Sequence, residues 1–309
     1  NDTALQDYIL QSGARIFSAN NVVDTEHDAI KGAQALKEVS IEDLLPRDEI
    51  RVDLESVAES LRGKRVLITG SAGSIGSEIV RQVASFAPSK MKLIDSAETP
   101  QHDIRRMMAH DFPSVPCATV VTSITKADRM ENIFKTFLPE YVFHAAAYKH
   151  VPMMEDNPCE SIQNNVLGTK ILTDLSVKYG VRRFVMVSTD KAVNPTNVMG
   201  CSKRICEVYV QSLNKAERDG VVKGQTQFIT TRFGNVLGSN GSVIPIFERL
   251  IKAGGPVTVT DPNIIRYFML IPEACELVLE AGTKGEGGEI FVFDMGKPVR
   301  IADLARRMI

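Results

Sequence analysis

The chain has 309 residues, 44% of them hydrophobic and 24% charged, with a net charge of −2. That allows a sizeable buried core and gives no charge excess suited to a nucleic acid or an anionic membrane surface. Five cysteines, at 117, 159, 201, 206 and 275, form no CxxC pair, which suits a reducing compartment better than a disulfide framework and leads to no expected metal site.

Residues 1 to about 60 lack a clean alternation of strand and helix periods. One helix is expected around 25–37, then an acidic stretch over 41–55, the whole reading as a connector or interaction arm at the tail of an upstream unit. The chain starts at Asn1 without methionine and stops at Ile309 inside a helical pattern, so both ends read as cut from something longer. From Lys64 onward the periods alternate. Strands are expected at 65–69, 91–95, 118–122, 141–145, 183–188, 227–231 and 289–294, with helical patterns between nearly all of them. This alternation predicts an α/β fold with a doubly wound parallel sheet and helices on both faces. The nucleotide-binding part is expected over 61–233. Glycines and prolines scattered from Gly234 to Pro272 predict a smaller, mostly substrate-binding lobe over 234–309, with strand 289–294 returning to the sheet.

The first strand breaks into KRVLITGSAGSIGS at 64–77, three glycines at a spacing of three. A strand, a tight turn and a helix start in that order form a dinucleotide cradle: Gly70 permits the turn, Gly73 lets backbone approach a pyrophosphate, and Gly76 lets the helix pack on the strand. The second strand ends in Asp95, where a carboxylate takes ribose hydroxyls and repels a 2′-phosphate, and no arginine follows to reverse that choice. NAD is therefore expected rather than NADP. The fourth strand runs into His144 and the triplet Ala145, Ala146 and Ala147, whose small side chains allow a flat ring to lie against the strand end. His144 reads as a core histidine, while Lys149 and His150, just beyond, are placed to meet a ligand. The fifth strand ends in Ser188-Thr189-Asp190-Lys191, and a helix carrying Met199 and Lys203 follows.

The glycine turn, the alanine triplet and the hydroxyl before a helical xxxK together resemble the extended short-chain dehydrogenase/reductase superfamily. Four longer phrases, AAAYKHVPMME at 145–155, STDKAVNPTN at 188–197, RFGNVLGSNGSV at 232–243 and IRYFM at 265–269, resemble the capsular-polysaccharide type of UDP-N-acetylglucosamine 4,6-dehydratase. The resemblance runs from about residue 45 to the end. Met199 occupies the place of the superfamily's catalytic tyrosine, as in the long, membrane-tethered branch of that dehydratase family. Ser123-Ile124 stands where the family usually has an Asp followed by an aliphatic residue that binds adenine.

The resemblance implies NAD-dependent oxidation at C4, loss of the C5 proton, expulsion of the C6 hydroxyl as water and hydride return to C6, as a step in bacterial surface-glycan synthesis. It implies catalytic roles for Thr189, Asp190, Lys191, Met199 and Lys203, with Asp190 as the acid and Lys191 as the base. The cofactor is expected on Gly70, Ser71, Gly73, Ser74, Ile75, Gly76, Asp95, Ser96, Ala145, Ala146, Ala147 and Lys203. The UDP-sugar is expected on Lys149, His150, Asn235 and Arg266, with Arg232 either a further phosphate ligand or structural. A homo-oligomer is expected on the cytoplasmic face of the bacterial inner membrane, with no nucleic-acid partner and any membrane contact made through a missing N-terminal part. Two other readings stand beside this one: a nucleotide-sugar 4-epimerase or dehydrogenase, for which the acid–base pair has no use, and a non-catalytic NAD-binding scaffold, suggested by Met199 and the N-terminal arm.

Overall fold

The computed structural model describes residues 52–309 except Asn240, together with a two-residue antiparallel ladder joining Phe17–Ser18 to Lys37–Glu38. The helix expected at 25–37 and most of the acidic stretch at 41–55 lie outside the described residues, apart from Lys37, which is in that ladder.

The chain forms two compact units. The larger, 50–240 with 269–295, holds seven strands in one sheet: β1 (Arg65–Thr69), β2 (Lys90–Asp95), β3 (Cys117–Val121), β4 (Tyr141–His144), β5 (Arg183–Thr189), β6 (Gln227–Phe233) and β7 (Ile290–Val292). Their order is β7-β6-β5-β4-β1-β2-β3, and every pairing is parallel. All seven expected strands are present, each end within two residues of its expected place. The order reverses between β1 and β4, and the crevice at such a switch point lies outside the carboxyl ends of the strands.

Strands buried on both faces read as near-continuous apolar runs, and β1 is one, with Val66, Leu67 and Ile68 fully buried. Helices α1 (Leu54–Leu61), α2 (Ser74–Ser85) and α3 (Glu98–Asp111) cover one face. Helices α4 (Ala127–Phe137), α5 (Gly168–Lys178) and α6 (Val198–Arg218) cover the other. On the first face Val66, Ile68, Met91 and Leu93 pack with Ile79, Val83 and Ile104; on the second Leu67, Ile94 and Val142 pack with Phe134, Leu172 and Cys206. Each strand thus sends alternate side chains into two cores.

The smaller unit includes 241–268 and 296–309. It contains α7 (Val243–Lys252) and a short ladder of Ile265–Arg266 against Val299–Arg300. In the larger unit α8 (Ile271–Lys284) adds Ala274, Cys275, Val278 and Leu279 to the first core. The chain closes with α9 (Ile301–Met308), which packs on α7 and buries Ile301, Leu304 and Ala305. Among the described residues no helix is long and apolar enough to cross a membrane.

Candidate functional site at the strand ends

The turn after β1 depends on two absent side chains. Gly70 has φ +69°, and a β-carbon there would lie 2.5 Å from the Ala146 nitrogen; one on Gly76 would lie 1.8 Å from the Gly70 carbonyl oxygen. Any substitution at either would push the turn away from the alanine triplet or from α2. Gly73 is the N-cap of α2 and supplies no side-chain cap, so the positive end of that helix faces the crevice, an arrangement suited to a pyrophosphate.

Asp95, at the end of β2, accepts from the Ala72 N–H at 3.0 Å through Oδ2 and from the Ala97 N–H at 2.9 Å through Oδ1. Each oxygen keeps a further lone pair for a ribose hydroxyl. Ser71 does not face the crevice: it is fully buried and its hydroxyl donates to Gln101 Oε1 at 2.9 Å, while Gln101 donates to the Leu93 carbonyl. Its side chain serves the core, against the expectation of a cofactor contact. Ser74 and Ile75 form the first turn of α2, and Ser96 is exposed beyond β2. The open turn, the uncapped helix end and the acid on β2 fit a dinucleotide carrying a free 2′-hydroxyl.

At the end of β4, Ala145, Ala146 and Ala147 are half-buried, and the Ala145 N–H donates to the Thr69 carbonyl at 3.0 Å. His144 lies beneath them, sealed in the core. Thr169 gives its only proton to the Asn165 carbonyl at 2.6 Å, so His144 Nε2 must be the donor to Thr169 Oγ1 at 2.9 Å, and Nδ1 accepts from Thr69 Oγ1 at 2.8 Å. Burial, with the Lys203 charge adding to it, drives this imidazole down to about 3. It is neutral at working pH and transfers no proton.

The fifth strand leads into a hydroxyl, a carboxylate and an ammonium in succession. Asp190 Oδ1 accepts from Thr189 Oγ1 at 2.9 Å and from Lys191 Nζ at 3.0 Å, and Lys191 also reaches Asn235 Oδ1 at 3.5 Å. Asp190 and Lys191 stay open to solvent, their side chains 55% and 36% exposed. Lys149 lies close enough to sense the Lys191 charge, and partial desolvation together with that charge lowers its ammonium below the usual lysine range. Thr189, Asp190, Lys191, Asn235 and Lys149 therefore form one polar group at the carboxyl edge of the sheet. His150 is the exposed N-cap residue of the helical turn Val151–Asp156.

Asn197 caps α6 by accepting from the Gly200 N–H at 2.8 Å, and Glu155 accepts from the Val198 N–H at 2.7 Å. This sets Met199 and Lys203 one turn apart on the inward side of α6, both buried. Burial pushes the Lys203 ammonium down, with Cys206 and Glu207 pulling it back, and among the described residues it makes no hydrogen bond.

Arg232 is not a phosphate ligand. Its Nε donates to Glu207 Oε1 at 2.7 Å and its Nη2 pairs with Glu207 Oε2, while Ser188 donates to the same carboxylate at 2.7 Å. Arg266 belongs to the smaller unit, where it is exposed and donates to its neighbour's carbonyl at 2.9 Å.

Sequence reasoning missed Asn165. It lies in a π-helical stretch, Ile162–Leu167, accepts from the Tyr148 N–H at 2.8 Å and donates to the Tyr148 carbonyl at 3.0 Å and to Ser202 Oγ at 3.0 Å. One amide thus ties the loop carrying Lys149 to the helix carrying Met199. The only signal was the polar pair Asn164-Asn165 inside an otherwise helical run, where π-bulges gather at functional sites.

The polysaccharide biosynthesis protein family matches residues 66–309. The capsular polysaccharide biosynthesis protein CapD of Staphylococcus aureus is 46% identical over 298 residues, 96% of this chain and 49% of its own length; the chain thus spans about half of that relative. An inverting UDP-N-acetylglucosamine 4,6-dehydratase of Campylobacter jejuni is 33% identical over 249 residues, 79% of this chain and 71% of its own, and UDP-glucose 4-epimerases match at similar identity. The dTDP-glucose 4,6-dehydratase DesIV of Streptomyces venezuelae, solved with NAD and TYD bound, superposes with a TM-score of 0.69 at 22% identity, over 79% of this chain and 80% of its own. That last likeness concerns the fold.

Proposed function

The chain belongs to the polysaccharide biosynthesis protein family, and on that footing we propose that it dehydrates a UDP-N-acetylhexosamine, UDP-N-acetylglucosamine foremost, to the 4-keto-6-deoxy sugar nucleotide. The observation that carries this reading is the cluster at the end of β5, a carboxylate and an ammonium 3.0 Å apart and open to a ligand. A 4-epimerase needs only a hydride carrier and a group for the C4 hydroxyl. A dehydratase also needs an acid and a base on adjacent carbons, which Asp190 and Lys191 provide.

NAD, held by the turn at Gly70–Gly76 and by Asp95, would take hydride from C4 and return it to C6. The protein's residues handle the protons. Thr189 orients the C4 hydroxyl, and with methionine at 199 the proton leaving that hydroxyl passes to water held near Thr189. Lys191, having passed its ammonium proton to Asp190 across their 3.0 Å contact, takes the C5 proton, acidified by the new C4 ketone. Asp190 then protonates the C6 oxygen, the C6–O bond breaks as the C5–C6 double bond forms, and water leaves. Lys191 returns a proton to C5, so that carbon picks up label from deuterated solvent. Asn235 and Lys149 supply the amide and cationic contacts for the substrate's polar groups.

The same proposal has the whole protein acting as a homo-oligomer on the cytoplasmic face of a membrane. Incubation with UDP-N-acetylglucosamine and NAD tests the activity by mass spectrometry. The expected product is lighter by one water and carries a C4 ketone. A C4 epimer of unchanged mass, or no turnover, would overturn the reading.

A further inference from the structure

The third residue of α6 has no side chain, and the segment carrying Asp190 and Lys191 rests against it. A β-carbon built on Gly200 would lie 2.2 Å from the Lys191 carbonyl oxygen and 3.2 Å from the Pro195 β-carbon. Glycine is a poorer helix former than alanine, and Gly200 is not among the glycines with positive φ, so neither the helix nor its own backbone asks for glycine. The neighbouring turn does. That turn, Asp190–Ala192, closes where the Val193 N–H donates to the Asp190 carbonyl at 3.0 Å, and the chain then reverses at Asn194, with φ +42°. Asparagine is one of the few residues with a side chain that enter this left-handed region readily. The reversal brings Pro195 to the same glycine that receives the Lys191 carbonyl.

The two sides of this contact are held unequally. On the α6 side, Asn197 and Glu155 accept from the Gly200 and Val198 N–H groups, and Ser202 Oγ is bonded by Asn165 and Ser161. On the other side Ala192 is fully buried, but Asp190 and Lys191 are open to solvent. A side chain at 200 would therefore move the turn rather than the helix, by about 1 Å to reach an ordinary non-bonded separation.

We propose that Gly200 and Asn194 are positioning residues for the acid: the absent side chain at 200 and the left-handed bend at 194 seat the turn against α6 so that the Asp190 carboxylate meets its substrate atom. The inference rests on the dehydratase reading and adds to it what fixes the acid in place. Asp190 has a single methylene between backbone and carboxylate and must follow the turn. Lys191 has four and can swing back toward C5. Their 3.0 Å contact survives, because one turn carries both. Displacement by about 1 Å should thus cost the acid step about 100-fold and the base step far less.

The test follows UDP-N-acetylglucosamine with NAD in deuterated buffer by mass spectrometry, reading both the 4-keto-6-deoxy product and the deuterium at C5 of recovered substrate. With Gly200→Ala, product formation should fall about 100-fold while C5 exchange stays within about tenfold of wild type, so that the ratio of exchange to product rises about tenfold or more. Asn194→Ala should raise that ratio too, and Asn194→Gly, free to adopt φ +42°, should return it to the wild-type value. This second pair decides the matter if Gly200→Ala does not fold. Residues that only stabilised the fold would lower both readouts by one factor. That result, or an unchanged ratio in both alanine variants, would overturn the positioning role while wild-type dehydration left the parent reading intact. If the wild type formed no 4-keto product, the dehydratase reading would fall and the positioning role with it.

Discussion

In the turn that follows β5, Asp190 and Lys191 pair while open to solvent; on β6 next to it, Arg232 is sealed against Glu207, whose side chain is wholly buried. Both pairs sit near the carboxyl ends of adjacent strands and join an acid to a base. In the second pair, burial raises the cost of the Glu207 charge, yet hydrogen bonds from Arg232, Ser188 and Arg204 still hold its carboxyl below the usual range. Every oxygen there is taken, so no proton can come or go. In the first pair no hydrogen bond among the described residues reaches the second carboxylate oxygen. On the proposed reading the chemistry falls to the loosely held pair, while the rigid one ties β6 to α6 behind it.

Breaking the open pair should give the largest effect. Lys191→Met is expected to lower dehydration by about 10²–10⁴, the loss of a general base, with deuterium uptake at C5 lost to the same degree and the unfolding midpoint unmoved. Breaking the sealed pair should act in the opposite way. Glu207→Ala leaves Arg232 without its partner and should cost about 3–5 kcal/mol of stability by chemical denaturation. A Glu207→Ala protein of wild-type stability would show that the two pairs do not differ as described.

The buried region also has a pH signature. His144 has its folded value lowered from 6.5 to about 3, so between those values the unfolded chain binds a proton that the folded chain refuses. Stability is then fully present above about 6.5 and is lost as pH falls toward 3, with a contribution from this group of about 1.4 kcal/mol per pH unit. His144→Gln keeps one donor and one acceptor and should flatten that part of the stability profile. An unchanged slope would mean that His144 takes up its proton in the folded state.

The smallest effect is expected at the residue that departs most from the superfamily. Met199 is buried and lacks a titrating group. Met199→Leu should cost less than about 1.5 kcal/mol of stability and change the rate by less than about tenfold. A rate loss equal to that of Lys191→Met would give Met199 a role beyond packing.

The sheet was legible because strand and helix periods differ and because a parallel sheet requires long crossovers; all seven strands and the turn at Gly70 follow from that. The division of polar residues into open and sealed was less legible. Arg232 and Asn235 are three positions apart, and sequence alone offers both as ligands. The register decides: Arg232 lies opposite Ser188, and both side chains meet Glu207 on α6, an acid that the sequence places nineteen residues from Ser188 with no mark of contact. Ser71 and Ser74 were equally alike on paper, yet only the first has a buried glutamine to hold it.

The division of labour within the open pair is tested most directly by Asp190→Asn with UDP-N-acetylglucosamine and NAD in deuterated buffer, followed by mass spectrometry. An amide cannot protonate the C6 oxygen, whereas Lys191 can still exchange the C5 proton once C4 is oxidised. The account predicts that recovered substrate gains one deuterium at C5 while formation of the 4-keto-6-deoxy product falls by about 10²–10⁴. Product formation at the wild-type rate would contradict it, as would loss of C5 exchange together with loss of product.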